Sequence, residues 1–348
     1  MNISQILSKE RLVEILSRVS QVNAGVIGDF ALDAYWQVDM RRSRLSRETP
    51  RFPRPVVSED YAPGAGGNVA QNLAALGLRQ VKTFSVLGED VWGRLLEDKL
   101  LERNMVIDGL LNHPKRRTTA YIKPILRGYD TRQEDARLDF ENLLPLNAQA
   151  EAKLLASFEA QLDDLDTVLI SDQLEENGII TPRLRQRLVE LAQNHLHIWF
   201  LADSRQNIAL YRNMVLKPNR IEALAAAKSA HDPFMASTSD LEEAGQILSR
   251  QSNRPVFLTL GEEGVLVCTP DEQKRIAAAP VRGPLDVTGA GDTFLAALAA
   301  CLAAGGSAWE AGAVANLAAA VTVEKINQTG TASPAEILER FERSGPSQ

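Results

Sequence analysis

Cysteine is nearly absent. Cys268 and Cys301 are the only two in 348 residues, too few for a disulfide framework or a cysteine-rich zinc site, and a reducing cytoplasm suits such a chain. Histidine is almost as scarce. With His113, His195, His197 and His231 alone, no His-Glu-x-x-His metal pair can be written; His195 and His197, two apart, fit the start of a strand better than a ligand set. A basic surplus is missing too, since 38 basic residues face 45 acidic ones for a net charge of -7, which argues against a general nucleic-acid binder. Long apolar runs are also lacking. The longest, Phe294 to Ala304, has eleven residues, well short of the ~20 that cross a bilayer, and a buried core helix is expected there. The first twenty residues mix Lys9, Glu10, Arg11, Glu14 and Arg18 into a helical apolar pattern, a surface helix rather than a targeting signal. No membrane partner is expected. Absent as well are a Gly-Lys dipeptide, the dinucleotide glycine fingerprint, and the His-Arg-Asp and Asp-Phe-Gly triplets, so a Walker loop, a nicotinamide fold and a protein kinase are disfavoured.

What remains is 45% hydrophobic and 24% charged, the composition of a globular chain with a large core. Bursts of Val, Ile and Leu alternate with helical patterns, which predicts a mainly parallel, doubly wound α/β sheet with helices on both faces. Strands are expected at Ala24 to Gly28, Val81 to Leu87, Thr167 to Ser171, Ile198 to Ala202, Met214 to Lys217 and Val256 to Leu260. Asn68 to Leu76 reads as a helix stopped by Gly77. Tyr35 to Asp60 and Thr118 to Leu138 alternate in strand fashion but carry many charges. They are expected to form a small β-sheet lid inserted in one domain spanning 1–348, over a ligand at the carboxyl ends of the main strands.

Three glycine- or acid-bearing turns carry the chemistry. Asp286-Val-Thr-Gly-Ala-Gly-Asp292 runs straight into the alanine-rich helix. Gly289 and Gly291 let backbone approach an oxyanion, the helix start offers N–H groups, and Asp292 puts a carboxylate in the same turn. A base beside an anion hole suits phosphoryl transfer to a hydroxyl; an Asp-capped helix is the plain alternative. Gly64-Ala-Gly-Gly-Asn-Val-Ala-Gln-Asn72 is a second such turn. Asn68 and Asn72, four apart, share a helix face that could bond vicinal hydroxyls, or they could be caps. Asp29 and Asp33 follow the first strand as sugar acceptors or turn residues.

The Asp286 segment and the Pro63 to Gly77 motif together resemble the ribokinase-like PfkB carbohydrate kinases. Within that family the chain is most similar to the heptose-7-phosphate kinases of lipopolysaccharide precursor synthesis, through Gly28-Asp-x-x-x-Asp33, Tyr35-Trp36, Ser43-Arg44-x-Ser46, Pro53 to Val57, Arg137-Leu-Asp-Phe-Glu141, Ser171-Asp172 and Pro218-Asn219-x-x-Glu222. The resemblance implies a ribokinase-like fold and transfer of the γ-phosphate of ATP to a sugar hydroxyl, here that of D-glycero-D-manno-heptose 7-phosphate. It makes Asp292 the base, Gly289, Ala290 and Gly291 the anion hole, and Asp33, Gly66, Gly67, Asn68 and Asn72 the sugar site. Asn219 and Glu222 would organise Mg2+ through water, Thr259, Gly261 and Gly264 the nucleotide turn, and Asn316 the adenine flank. Relatives can bind potassium at the loop equivalent to Asn327 to Ser333, and a dimer through the lid is a reasonable expectation.

The chain departs from those kinases in places. Gln173 to Gly178 stands where they carry a Lys-Gly pair, Asp203-Ser-Arg205 where they favour Asp-Pro-Lys, and Lys217 where they favour threonine; Arg205 and Lys217 could supply the displaced charge. Arg41 to Arg54 holds six arginines and one acid, Glu48, which suit a phosphate already on the substrate or a solvated lid face. No His-x-Gly-His element occurs, so no fused nucleotidyltransferase is expected. Another sugar or nucleoside acceptor, or a sugar binder without turnover, are the alternatives.

Overall fold

The computed structural model describes the chain except for residues 229–231, 233–234, 327–329 and 345–348. Its larger sheet has nine strands: β1 (Asn23–Gly28), β4 (Gln80–Gly88), β5 (Val106–His113), β9 (Thr167–Asp172), β10 (Trp199–Ser204), β11 (Val215–Leu216), β12 (Val256–Thr259), β13 (Val265–Cys268) and β14 (Gln273–Ile276). They lie in the order β14-β13-β12-β11-β10-β9-β1-β4-β5. All neighbours are parallel except the closing hairpin, where β12 and β13, then β13 and β14, run antiparallel. The six expected strands are present within two residues at either end; β5 and the hairpin strands β13 and β14 are additions.

Successive side chains along these strands feed opposite cores, as the pleat requires. Leu169 and Leu201 belong to one cluster, while Val168, Ile170, Phe200 and Ala202 belong to the other. The first is covered by α1 (Lys9–Val19), α2 (Gly66–Ala75), α3 (Val91–Leu101), α8 (Ala290–Ala303), α9 (Ala308–Val323) and α10 (Pro334–Arg343). The second is covered by α4 (Ala148–Glu159), α5 (Pro182–Asn194), α6 (Arg220–Ala226) and α7 (Thr238–Ser252). Local signals explain the helix starts. Thr181 accepts the Leu184 N–H with Pro182 at the first position of α5, and Leu184, Leu188 and Leu191 make its buried stripe. The alanine-rich α8 is buried almost throughout, which fits a central element packed against α2 and α9 on one side and the sheet below. Each fully buried leucine on it, such as Leu295 and Leu298, contributes about 1.5–3 kcal/mol through burial. Among the described residues no helix is long and apolar enough to cross a membrane.

The lid is a second sheet, ordered β3-β2-β6-β7 with β8 also on β6. Its strands are β2 (Phe30–Asp39), β3 (Val56–Ala65), β6 (Thr119–Arg127), β7 (Arg132–Glu134) and β8 (Leu138–Phe140). It therefore begins before Tyr35 and runs past Asp60, and residues 43–55, expected as strand, lie outside any. Four arginines and three prolines in that stretch give it neither a ladder donor at each position nor an apolar face.

Candidate active site

The α2 and α8 starts meet at the crevice between sheet and lid. Gly289 caps α8 at φ 77, a left-handed conformation that glycine adopts without a Cβ penalty. This turn leaves Gly289 and Gly291 without a backbone acceptor among the described residues, whereas the Ala290 N–H donates to the Val287 carbonyl at 3.2 Å. The expected three-amide hole is thus narrower in this state: Ala290's donor is occupied. At α2 the preceding Ala65 has φ 49, a strained value for alanine next to the site. A Cβ on Gly66 would stand 2.8 Å from the Asp29 carbonyl oxygen, and the Gly66 N–H donates to that same oxygen at 2.8 Å. Gly66 is therefore a packing necessity with its donor already used, and Gly67 is buried against Pro63.

Asp292 is half-buried at the foot of the crevice, and the Asn68 Nδ2 donates to its Oδ2 at 2.6 Å. Desolvation pushes this carboxyl up to about 7, helped by the nearby Asp203 charge and opposed by the Asn68 hydrogen bond and Lys217. Asn68 is held in turn by Gln71, whose Nε2 donates to Asn68 Oδ1 at 2.6 Å. Asn72 lies one turn behind. It is fully buried; its Nδ2 donates to Asn68 and its Oδ1 accepts from Thr293 Oγ1 at 2.7 Å. The two asparagines do share a face, with Asn72 Nδ2 also donating to Asn68 Oδ1 at 3.1 Å; both are buried, Asn68 bonding Asp292 and Asn72 bonding Thr293 behind it. Thr322 Oγ1 donates to Thr293 Oγ1 at 3.0 Å, so α2, α8 and α9 are joined by one chain of polar side chains.

The two early acids part company. Asp29 is buried and accepts three backbone N–H groups, from Gln173 and Leu174 at 2.8 Å and Ile179 at 2.7 Å. It shapes the 173–179 loop, and burial raises it to about 6 despite those donors. Asp33 instead lies on the inner lid face and pairs with Lys123 Nζ at 2.8 Å. Lys123 also sits 4.9 Å from the centre of the Tyr35 ring. The register sets Asp33 opposite Tyr121 and Tyr35 opposite Lys123, which brings these four side chains onto one face. That face looks across a cavity of about 80 Å³ lined by Tyr35, Lys123, Arg132, Asp286 and Thr288, so lid and anion turn confront each other.

Beside Asp292 lies an ion pair, Lys217 Nζ to Asp203 Oδ2 at 3.0 Å, both side chains less than a tenth exposed. Next to it Asn219 and Glu222 close a capping box at the start of α6, with Asn219 Oδ1 accepting from the Glu222 N–H and Glu222 Oε2 from the Asn219 N–H. Burial raises Glu222, and Lys217 opposes the rise. One oxygen of Glu222 is left by the box. Among the described residues no group of three or more His, Cys, Asp or Glu could hold a metal ion; a magnesium ion, which is commonly bound by one or two carboxylates plus water and substrate phosphates, fits the remaining Glu222 oxygen better than it would fit a closed cage.

Thr259 bridges to Asn219, and Gly261 and Gly264 take φ 63 and 93 in the turn between β12 and β13. Asn316 is buried, its Nδ2 donating to the Ile276 and Ala277 carbonyls at 3.3 and 3.1 Å; it ties α9 to the strand end that Gly264 abuts. Of the loop from Asn327 to Ser333, residues 327–329 lie outside the described residues, and the Thr331 carbonyl accepts from Lys325 Nζ at 2.6 Å. Lys123, Gln71 and Thr293 were not singled out by the sequence reading. An isolated lysine in a charged strand and polar residues inside an apolar helix carry no local signal; only the register and the crossing of α2 and α8 reveal them.

Comparison with known proteins agrees with this geometry. Residues 38–336 match the family described as pfkB family carbohydrate kinase. The bifunctional protein HldE of Trichlorobacter lovleyi is 34% identical over 336 residues, 95% of this chain and 65% of that protein; its Geobacter metallireducens counterpart is 32% identical over the same shares. The chain thus spans about 65% of the length of these curated relatives. Among solved structures, ribokinase from Thermotoga maritima superposes with a TM-score of 0.69 at 20% identity, covering 92% of this chain and 99% of that one. Phosphofructokinase-2 from Escherichia coli, in complex with potassium, gives 0.71 at 19%, covering 93% and 99%.

Proposed function

The chain belongs to the pfkB family of carbohydrate kinases, phosphotransferases with an alcohol acceptor, and on that premise we propose that it transfers the γ-phosphate of ATP to the anomeric hydroxyl of a heptose 7-phosphate. One observation carries the reaction: the Asn68 to Asp292 hydrogen bond at the head of α8, beside the free N–H groups of Gly289 and Gly291. Asn68 and Asp33 would hold the sugar hydroxyls. Asp292 would take the proton as the hydroxyl oxygen attacks phosphorus, while the Gly289 and Gly291 amides receive the developing charge. Asn219 and Glu222 would hold magnesium through water, and that ion would supply charge neutralisation on the phosphates. The turn at Thr259, Gly261 and Gly264 would take the nucleotide, with Asn316 holding the adjoining strand end in place.

A phosphorylated acceptor is favoured by the cations around the crevice mouth. Arg137 lies 4.5 Å from the centre of the Tyr121 ring, and the charges of both Arg137 and Arg205 act on that phenol. The Arg137 guanidinium donates to Asp139 through Nε and Nη2 and keeps Nη1 for an anion at the Tyr121 face, which suits a phosphate better than a neutral sugar end. Similarity to the HldE proteins points the same way. A panel of phosphorylated and unphosphorylated heptoses, hexoses, pentoses and nucleosides, read by ADP release, tests this: turnover confined to unphosphorylated acceptors would remove the heptose phosphate.

A second copy is the proposed partner at the lid. The outer half of β3 is an exposed edge carrying Val56 and Val57 at 41 and 47% exposure. Glu59 and Asp60 on it could meet the arginines of the 41–54 segment of another chain. Sedimentation as monomer at micromolar concentration would exclude it.

A further inference from the structure

We propose that Lys217 is a catalytic residue of this kinase, a fixed cation that bonds a non-bridging oxygen of the phosphoryl group in flight. The inference rests on the phosphotransfer reading above. Lys217 follows the two-residue β11, and its backbone N–H donates to the Ala202 carbonyl at 3.1 Å, which fixes it beside the end of β10. Its ammonium is buried, 3.0 Å from Asp203 Oδ2, and stands 3.8 Å from the point a Cβ on Gly291 would occupy. Gly291 is exposed and supplies one of the free amides of the anion turn. The ammonium is therefore at the mouth of that turn.

A purely structural lysine would need one carboxylate. This one pairs with Asp203 and also feels the charges of Glu222 and Asp292. Without a cation that trio would repel a triphosphate, because like charges in a water-poor crevice interact far more strongly than in solvent. Asp203 accounts for one of the three N–H donors of an ammonium, and a donor remains for an incoming oxygen. In the step itself the sugar O–H proton passes to Asp292, the sugar oxygen bonds phosphorus, and the bond from phosphorus to the ADP oxygen breaks with its electron pair leaving on ADP. Lys217 keeps its proton throughout and stabilises the charge on the moving group.

Binding of ADP with aluminium fluoride and magnesium, which mimics the group in flight, reads this without turnover. The native chain should bind ADP much more tightly when fluoroaluminate is added. Lys217→Met should lose that enhancement by 100-fold or more while binding ADP alone within threefold, and Lys217→Arg should retain most of it. Because Lys217→Met strands Asp203, the double variant Asp203→Asn/Lys217→Met controls for folding: enhancement still lost at a native melting temperature supports the proposal, and enhancement restored overturns it. Equal weakening of ADP and the fluoroaluminate complex, or no weakening of either, also overturns it. No enhancement in the native chain would sink the kinase reading along with it, whereas enhancement indifferent to Lys217 would remove this inference alone.

Discussion

Asn68 Nδ2 and Asp292 Oδ2 lie 2.6 Å apart across 224 positions of sequence. This one bond joins the two glycine-rich turns, so the residue that can bond a sugar hydroxyl also holds the residue that can take its proton. A hydroxyl bonded there is within reach of the base before any lid movement, which is the geometry that turns an encounter into a near-attack arrangement.

Replacing Asp292 by Asn keeps the shape and removes the base. Turnover should fall roughly 10²- to 10⁴-fold with nucleotide affinity within a few-fold of native, measured by steady-state kinetics and calorimetry. Turnover within threefold of native would assign the base elsewhere.

The pH dependence follows from the position of that carboxyl near 7. The base works only when ionised, so kcat/KM of the free enzyme should rise with pH as one proton is lost around 7 and level off above it. Asn68→Ala removes a donor that favours the ionised form, so the inflection should move up. A downward move would contradict the assignment.

Stability should run the other way. Because the folded pKa of Asp292 is raised above the ordinary carboxylate value of 3.8, the folded state binds more protons than the unfolded one between about 4 and 7, and stability declines as pH rises through that window. Asp292→Asn should therefore stabilise the chain at pH 8 by about 1–3 kcal/mol, and less at pH 4. Urea unfolding at the two pH values checks this; a variant destabilised at pH 8 would refute it.

Asp29→Ala should be costly for a different reason. Three backbone donors of the 173–179 loop lose their acceptor inside the protein, a penalty of about 3 kcal/mol or more. Asp33→Asn, which keeps a hydrogen-bonding side chain beside Lys123, should instead raise the sugar KM with a smaller loss of stability than Asp29→Ala. If Asp29→Ala unfolds at the native urea midpoint, the loop does not depend on that carboxylate.

The layered sheet was legible because strands buried on both faces are apolar runs that composition alone exposes, as at Thr167 to Ile170. The lid boundaries were less so: the segment after the first strand, expected as a turn carrying Asp29 and Asp33, is from Phe30 onward a lid strand whose apolar residues are buried. Asp292 and Asn68 were found through local chemistry, each at a glycine-rich helix start. The bond that Thr293 donates to Asn72 was not legible, because helical spacing tells which residues share a face but not what the next helix offers that face. Lys123 escaped for a related reason. Its meaning comes from the strand beside it, where Asp33 and Tyr35 are neighbours only through pairing.

The polar chain through Asn68, Asn72, Thr293 and Thr322 fastens three helices into a single anvil that owes nothing to the lid. The lid can then drift in length, edge or cargo over generations without retuning the hammer stroke beneath it. A change confined to the lid strands leaves every bond of that chain in place.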